Sequence, residues 1–197
     1  TKGIKDKGEV FSSLTSLNME EGWKLGLKLA DNQTHRLGDE SWFYCYDCLG
    51  HVEKELQKYI NLAPTEMGAW EMYLLMSSST VLPTFWHGGY IHRKFIFNIS
   101  DLEHIDALHG KDLSVLMNDG QLLPKVSIEK DMSNLESENF FSTSEEKYIA
   151  NVYCCYWNEW KGLVREHIRM EISGNKIVSY KNVGEYIFYK YDCGIRF

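Results

Sequence analysis

Tyr148-Ile149-Ala150-Asn151-Val152-Tyr153-Cys154-Cys155-Tyr156-Trp157 is almost continuously apolar. A strand buried on both faces reads this way. The next run, 163–172, alternates instead. Val164, Ile168, Met170 and Ile172 share one parity, broken only by Glu166, and Arg165, His167, Arg169 and Glu171 take the other. That pattern predicts a strand with one wet face. Ser173-Gly174-Asn175-Lys176 supplies a turn, because Gly and Asn tolerate positive φ. A third run, 177–191, follows, with a bend expected at Asn182-Val183-Gly184. Aromatic and β-branched residues suit a pleated, half-buried surface, so residues 147–197 read as the core sheet. Between the first two runs, Trp157-Asn158-Glu159-Trp160-Lys161-Gly162 is turn-like. Its two indoles make Trp157 and Trp160 candidate binding residues, since exposed Trp anchors interfaces.

Upstream the signals favour helices. Asn18 and Glu21 are spaced as a capping box, which predicts a helix placing Trp23, Leu27 and Ala30 on one face. Gly22 and Gly26 weaken it, and Trp23, Leu25, Leu27 and Leu29 also alternate as a strand would. In 48–60, Leu49, Val52, Leu56 and Tyr59 form an apolar stripe at helical spacing. Thr65 can cap a further helix over 66–76 with Met67, Trp70, Tyr73 and Leu74 inward. Residues 90–98 look like a strand. Ser100 and Glu103 suggest another capping box, opening a helix that ends near Gly110. Asn118-Asp119-Gly120 predicts a hairpin joining 113–117 to 121–128, with Pro124 favouring an edge. Residues 129–146 read as a long polar loop. The expectation is an α+β fold: a C-terminal antiparallel aromatic-rich sheet with three to four helices in the N-terminal half. Its 197 residues fit a single domain, 1–197. Residues 1–110 would be mostly helical with one or two strands, and 111–197 mostly β.

Charge is unevenly placed. The net charge is −7, yet residues 101–146 hold 11 of the 28 acidic side chains against 3 of the 21 basic ones. A general affinity for nucleic acid needs a basic face, so direct nucleic-acid binding is not expected. A basic protein partner is, because complementary charge speeds association and rejects wrong partners. No run of eighteen apolar residues is present, so no membrane span is expected. Thr1 to Lys7 lacks the apolar stretch of a secretory signal. Five cysteines without framework spacing favour free thiols in a reducing compartment, and hence a cytoplasmic protein.

Two stretches carry candidate chemistry. Cys45-Tyr46-Asp47-Cys48-Leu49-Gly50-His51 offers thiolate and imidazole ligands of the kind zinc takes, so Cys45, Cys48 and His51 are the candidate metal residues. The same cysteines form a Cys-x-x-Cys, whose thiols gain acidity at a helix N-terminus. Val81-Leu82-Pro83-Thr84-Phe85 resembles the proline segment that faces such cysteines in the thioredoxin family. The resemblance covers these few residues. Upstream, where that family has an apolar strand, this chain has Gly38-Asp39-Glu40-Ser41. In the second stretch, Phe85-Trp86-His87-Gly88-Gly89-Tyr90-Ile91-His92, paired glycines allow close approach to a ligand. His87 and His92 are candidate acid–base groups. A P-loop, a dinucleotide fingerprint, Gly-x-Ser-x-Gly and His-Glu-x-x-His are all missing from the sequence.

The leading expectation is therefore a non-catalytic acidic binding protein, of the inhibitor or immunity type, that masks a basic partner. Asp131, Glu136, Glu138, Glu145 and Glu146 would carry the contact. The alternative is an enzyme working through His87 and His92, assisted by zinc on Cys45, Cys48 and His51.

Overall fold

A computed structural model describes residues 13–28, 42–77, 93–112, 120–132 and 146–191. The three C-terminal runs form the strands expected of them: β8 (Lys147–Asn158), β9 (Gly162–Ser173) and β10 (Lys176–Lys190). They pair antiparallel in one meander. The expected bend in β10 is a register shift between Asn182 and Gly184, one of three along that strand. Such irregularities increase local twist, and the sheet curls into a half-barrel. The β8–β9 turn needs a glycine. Gly162 has φ +93°, and a Cβ there would lie 2.0 Å from the Tyr189 carbonyl oxygen, so any side chain would collide with β10.

Shorter strands extend both flanks. β1 (Leu17–Met19) pairs with β5 (Ile60–Leu62), and β5 meets β10 through Asn61 and Lys176. On the other flank β6 (Lys94–Ile96) and β7 (Lys125–Lys130) both pair with β8. β6 takes residues 155–157 and β7 takes 148–153, so the two lie end to end along one edge. A second, three-stranded sheet joins β2 (Trp23–Lys28), β3 (Trp42–Asp47) and β4 (Val52–Glu53). The helix α1 (Glu66–Ser77) is the one helix of seven or more residues among the described elements. No helix among the described residues is long and apolar enough to cross a membrane.

Strand parity divides the main sheet into two faces. Ala150, Val152 and Cys154 of β8 join Ile168, Met170 and Ile172 of β9 in the larger core. There they meet Ala69, Met72, Tyr73 and Leu75 of α1, and Leu27, Phe43 and Cys45 of the second sheet. The opposite face carries Cys155, Trp157 and Leu163, covered at that end by Leu102, Ile105, Leu108 and Leu122. These four belong to the excursion between β6 and β7, which contains 3-10 turns at Ile99–His104 and Asp106–Leu108.

The α+β expectation with three to four helices is thus corrected: the chain is mostly antiparallel β. Asn18 lies within β1 and the segment after it forms β2, because the alternation of Trp23, Leu25 and Leu27 prevails over a helical face interrupted by two glycines. At Gly26 the Tyr44 ring fills the place of a side chain, since a Cβ there would sit 2.4 Å from its Cζ. Residues 48–60 form a turn, β4, a 3-10 turn (Leu56–Lys58) and β5. The Asp47 carboxylate accepts hydrogen bonds from the backbone N–H groups of Leu49 and His51, both at 2.9 Å. This Asx-type turn competes with a helix and leaves Leu49 and Val52 exposed. The capping box near residue 100 exists, but Asn98 and Asp101 form it, and it opens a 3-10 turn.

The helix at 66–77 is present, and Thr65 Oγ1 accepts from the Gly68 N–H at 3.1 Å. Its buried face is shifted from the expected one. Met67 is exposed, while Glu71 is buried. The Glu71 carboxylate accepts from the N–H and hydroxyl of Thr15 and from the N–H of Ser16. Residues 113–119 of the expected hairpin lie outside the described residues, and the described part, β7, pairs with β8.

Candidate functional site

Glu166 is the residue that broke the apolar parity of β9, and it is 1% exposed. Its neighbours explain how an acid survives there. Oε1 accepts from the Tyr73 hydroxyl at 2.6 Å and from Nη1 of Arg93. Oε2 accepts from Nδ2 of Asn182 at 3.4 Å. The Arg93 guanidinium also lies 4.3 Å from the centroid of the Tyr156 ring, a cation–π arrangement. Tyr156 in turn donates to Glu185 at 3.0 Å, and Glu185 is paired with Lys161. Burial acts to raise the Glu185 carboxyl, but the hydrogen bonds from Lys161 and Tyr156 outweigh it and hold it below the usual carboxylate range. A buried charge persists only when paired and hydrogen-bonded. This network meets that condition, joining α1, the residue before β6, and strands β8 to β10.

The opposite face of the same strands bears a cleft of about 730 Å³, lined by Lys125, Tyr153, Arg165, His167, Gly184 and Tyr186 among others. Register creates it. Lys125, Tyr153, His167 and Gly184 are successive partners across β7, β8, β9 and β10. Cys155, Arg165 and Tyr186 form the neighbouring row. Tyr153 and His167 stack at 4.2 Å between centroids, and Arg165 lies 5.1 Å from the Tyr153 ring. His167 Nε2 and Asn151 Oδ1 are 2.8 Å apart. Burial, together with Arg169 and Arg165, lowers the basicity of the His167 imidazole. The cleft ends at the covering excursion, where the Cys155 thiol donates to the Gln121 carbonyl at 3.3 Å.

The residues singled out from sequence are placed differently. Cys45 is fully buried in β3, whereas Cys48 and His51 lie on the exposed turn that follows. His51 Nδ1 is 2.7 Å from Asp47 Oδ2. Among the described residues no group of three His, Cys, Asp or Glu side chains lies together as metal ligands would. Nor does Cys45 stand at a helix N-terminus: burial, aided by Glu53, pushes its thiol up to about 11, the reverse of the acidity expected of a redox pair. His87 and His92 lie outside the described residues, as do Glu136, Glu138, Glu145 and the 81–85 segment. Asp131 is half-buried just beyond β7. Glu146 is exposed and paired with Lys130 at 2.6 Å. Trp157 is 1% exposed, near Tyr189 and Tyr191, while Trp160 is 36% exposed at the turn.

The cleft residues Lys125, Tyr153, Arg165, His167 and Tyr186 were not singled out from sequence. The wet parity of residues 165 to 171 was the available signal. Which strands would flank that row was not.

Fold and site together define a curled antiparallel half-barrel with a saturated ion-pair network on one face and a cationic, aromatic cleft on the other. Compared with protein families, curated proteins and solved structures, the chain finds no match.

Proposed function

We propose that this chain acts by binding rather than by catalysis, as an acidic protein of the inhibitor or immunity type that masks a basic protein partner. One observation carries the reading. Glu103 and Asp106 are exposed carboxylates, without an ion-pair partner among the described residues, on an excursion pinned to the sheet. Leu102, Ile105 and Leu108 are buried beneath them, and the Asn98–Asp101 capping box fixes the entry. Carboxylates held on a packed platform lose little freedom when a cation arrives, which favours affinity. Asp131 and Glu146 lie at the other end of β8, beside Lys147, and Glu136, Glu138 and Glu145 belong to the stretch of sequence between them.

The chemically versatile groups fit this reading. Cys154 and Cys155 are buried thiols, each pushed up to about 12, chiefly by burial, and the Glu166 carboxylate is fully engaged. The cysteines among the described residues are free thiols, as a cytoplasmic, reducing setting favours. A net charge of −7 weighs against direct nucleic-acid binding.

The test is a set of charge reversals, Glu103→Lys, Asp106→Lys, Asp131→Lys and Glu146→Lys, in a 1:1 complex with the partner. Affinity should fall and its salt dependence flatten. Unchanged affinity and salt slope would sink the reading. An enzyme using His87 and His92, with zinc on Cys45, Cys48 and His51, predicts instead a retained metal and an activity lost in His87→Ala.

A further inference from the structure

We propose that the cleft on the face of β8, β9 and β10 opposite the larger core binds a small organic oxyanion, a carboxylate or phosphate carried on a planar aromatic body. This inference is independent of the acidic surface.

In a protein of net charge −7, exposed cations usually find carboxylates. Here Lys125 and Arg165 converge on one cleft and neither has a carboxylate partner among the described residues. Nε of Arg165 is buried and has no hydrogen-bond partner. A buried donor left unsatisfied costs stability, but that atom has no open surface, so an oxyanion in the cleft would meet the guanidinium through its other nitrogens. Glu166 and Glu185 border the cleft, but strand parity sends their side chains to the opposite face. There Arg93 and Lys161 neutralise them. Lys125 and Arg165 are therefore the cations left without an ion-pair partner on the cleft face, among the described residues. A guanidinium with a free edge matches the planar geometry of carboxylate and phosphate.

The walls specify the rest of the ligand. The Tyr186 ring faces Arg165 across β9 and β10 and is 65% exposed. Tyr153 and His167 form a stacked floor beside it. Gly184 closes the other row, and a Cβ there would meet nothing within 4 Å, so the space opposite His167 is left open. A volume of about 730 Å³ lies within the range of small-molecule sites.

The experiment is calorimetric titration of the full chain at low salt with inorganic phosphate, phenyl phosphate and benzoate. Saturable binding of phenyl phosphate or benzoate, tighter than inorganic phosphate, is expected. The stronger of the two aromatic probes identifies the oxyanion. Arg165→Gln should weaken it about tenfold or more, the loss of a charge-assisted hydrogen bond. Gly184→Ile should abolish it by filling the open space, with an unchanged urea midpoint showing that the sheet is intact. No saturable binding of any probe would overturn the proposal, as would binding that survives both substitutions. Equal affinity for phosphate and phenyl phosphate would overturn its aromatic half.

Discussion

The hydroxyl of Tyr73, in the middle of α1, donates a 2.6 Å hydrogen bond to Oε1 of Glu166, in the middle of β9. Both side chains are almost wholly buried. Burial, reinforced by Cys154 and Glu166, raises the Tyr73 hydroxyl far above its usual range, so it remains a donor. The bond ties α1 to the centre of the sheet, 93 residues away in sequence. Glu166→Ala should cost about 3–5 kcal/mol, because it leaves the Arg93 charge buried without its partner. Tyr73→Phe should cost about 1–3 kcal/mol. Replacing Arg93 and Glu166 together by Met and Leu should recover much of the first loss. Urea midpoints measure all three, and equal midpoints for wild type and Glu166→Ala would contradict the network.

The two tryptophans at the β8–β9 turn should behave oppositely. Trp157 lies in the smaller core with Ile96, Leu122 and Leu163. Trp157→Ala should therefore destabilise the fold by about 3–5 kcal/mol. Trp160→Ala, at a half-open surface position, should change stability by no more than about 1 kcal/mol. Thermal and urea unfolding of the pair decides between core and contact roles. Near-equal losses would show that the turn is packed otherwise.

Glu71 should govern the N-terminal edge of the sheet. Its carboxylate holds Thr15 and Ser16 by three hydrogen bonds. Glu71→Ala should release β1 from α1, lower stability by about 2–3 kcal/mol and open the chain near Thr15 to protease. Limited proteolysis followed by mass mapping reads this directly. A cleavage pattern identical to wild type would contradict the anchoring role.

Alkaline pH should weaken the fold through its thiols. Cys45, Cys154 and Cys155 are raised from 9.0 to about 11, 12 and 12, with burial the first cause in each. The folded chain keeps these protons where the unfolded chain releases them, so unfolding is favoured there. Their contribution is fully present below pH 9 and is lost as the pH rises toward the folded values. Stability measured in urea from pH 7 to 10.5 should be flat at first and then fall. In native labelling at pH 8, Cys48 should react first among the cysteines of the described residues, and Cys45, Cys154 and Cys155 only on unfolding. A rising stability above pH 9, or fast labelling of Cys154, would contradict the burial.

Much of the C-terminal meander was legible, and the physical reason is length. Strands of 12 to 15 residues repeat a period of two often enough to exclude a helix. The bend at Asn182 to Gly184 was legible for a local reason, since an asparagine and a glycine two residues apart interrupt such a run. The N-terminal half was misread because its elements are short. β1, β4 and β5 span two or three residues each, and β1 and β5 owe their state to partners far along the chain. Leu49 and Val52 looked like a helical stripe, but a single side chain, Asp47, redirected the backbone. Glu166 was visible as an exception to its strand's alternation. Its meaning was not, because Tyr73 and Arg93 reach it only through the fold. The cleft was hidden for the same reason: Lys125 and Arg165 share a site only because β7 pairs with β8.

The binding account is tested most directly by native mass spectrometry of the chain purified gently from its own host, alongside the reversal of Glu103, Asp106, Asp131 and Glu146. The account predicts a metal-free 1:1 complex with a basic protein that is lost in the reversed chain and in high salt. A bare chain carrying a zinc ion, or a complex indifferent to the reversals, would contradict it.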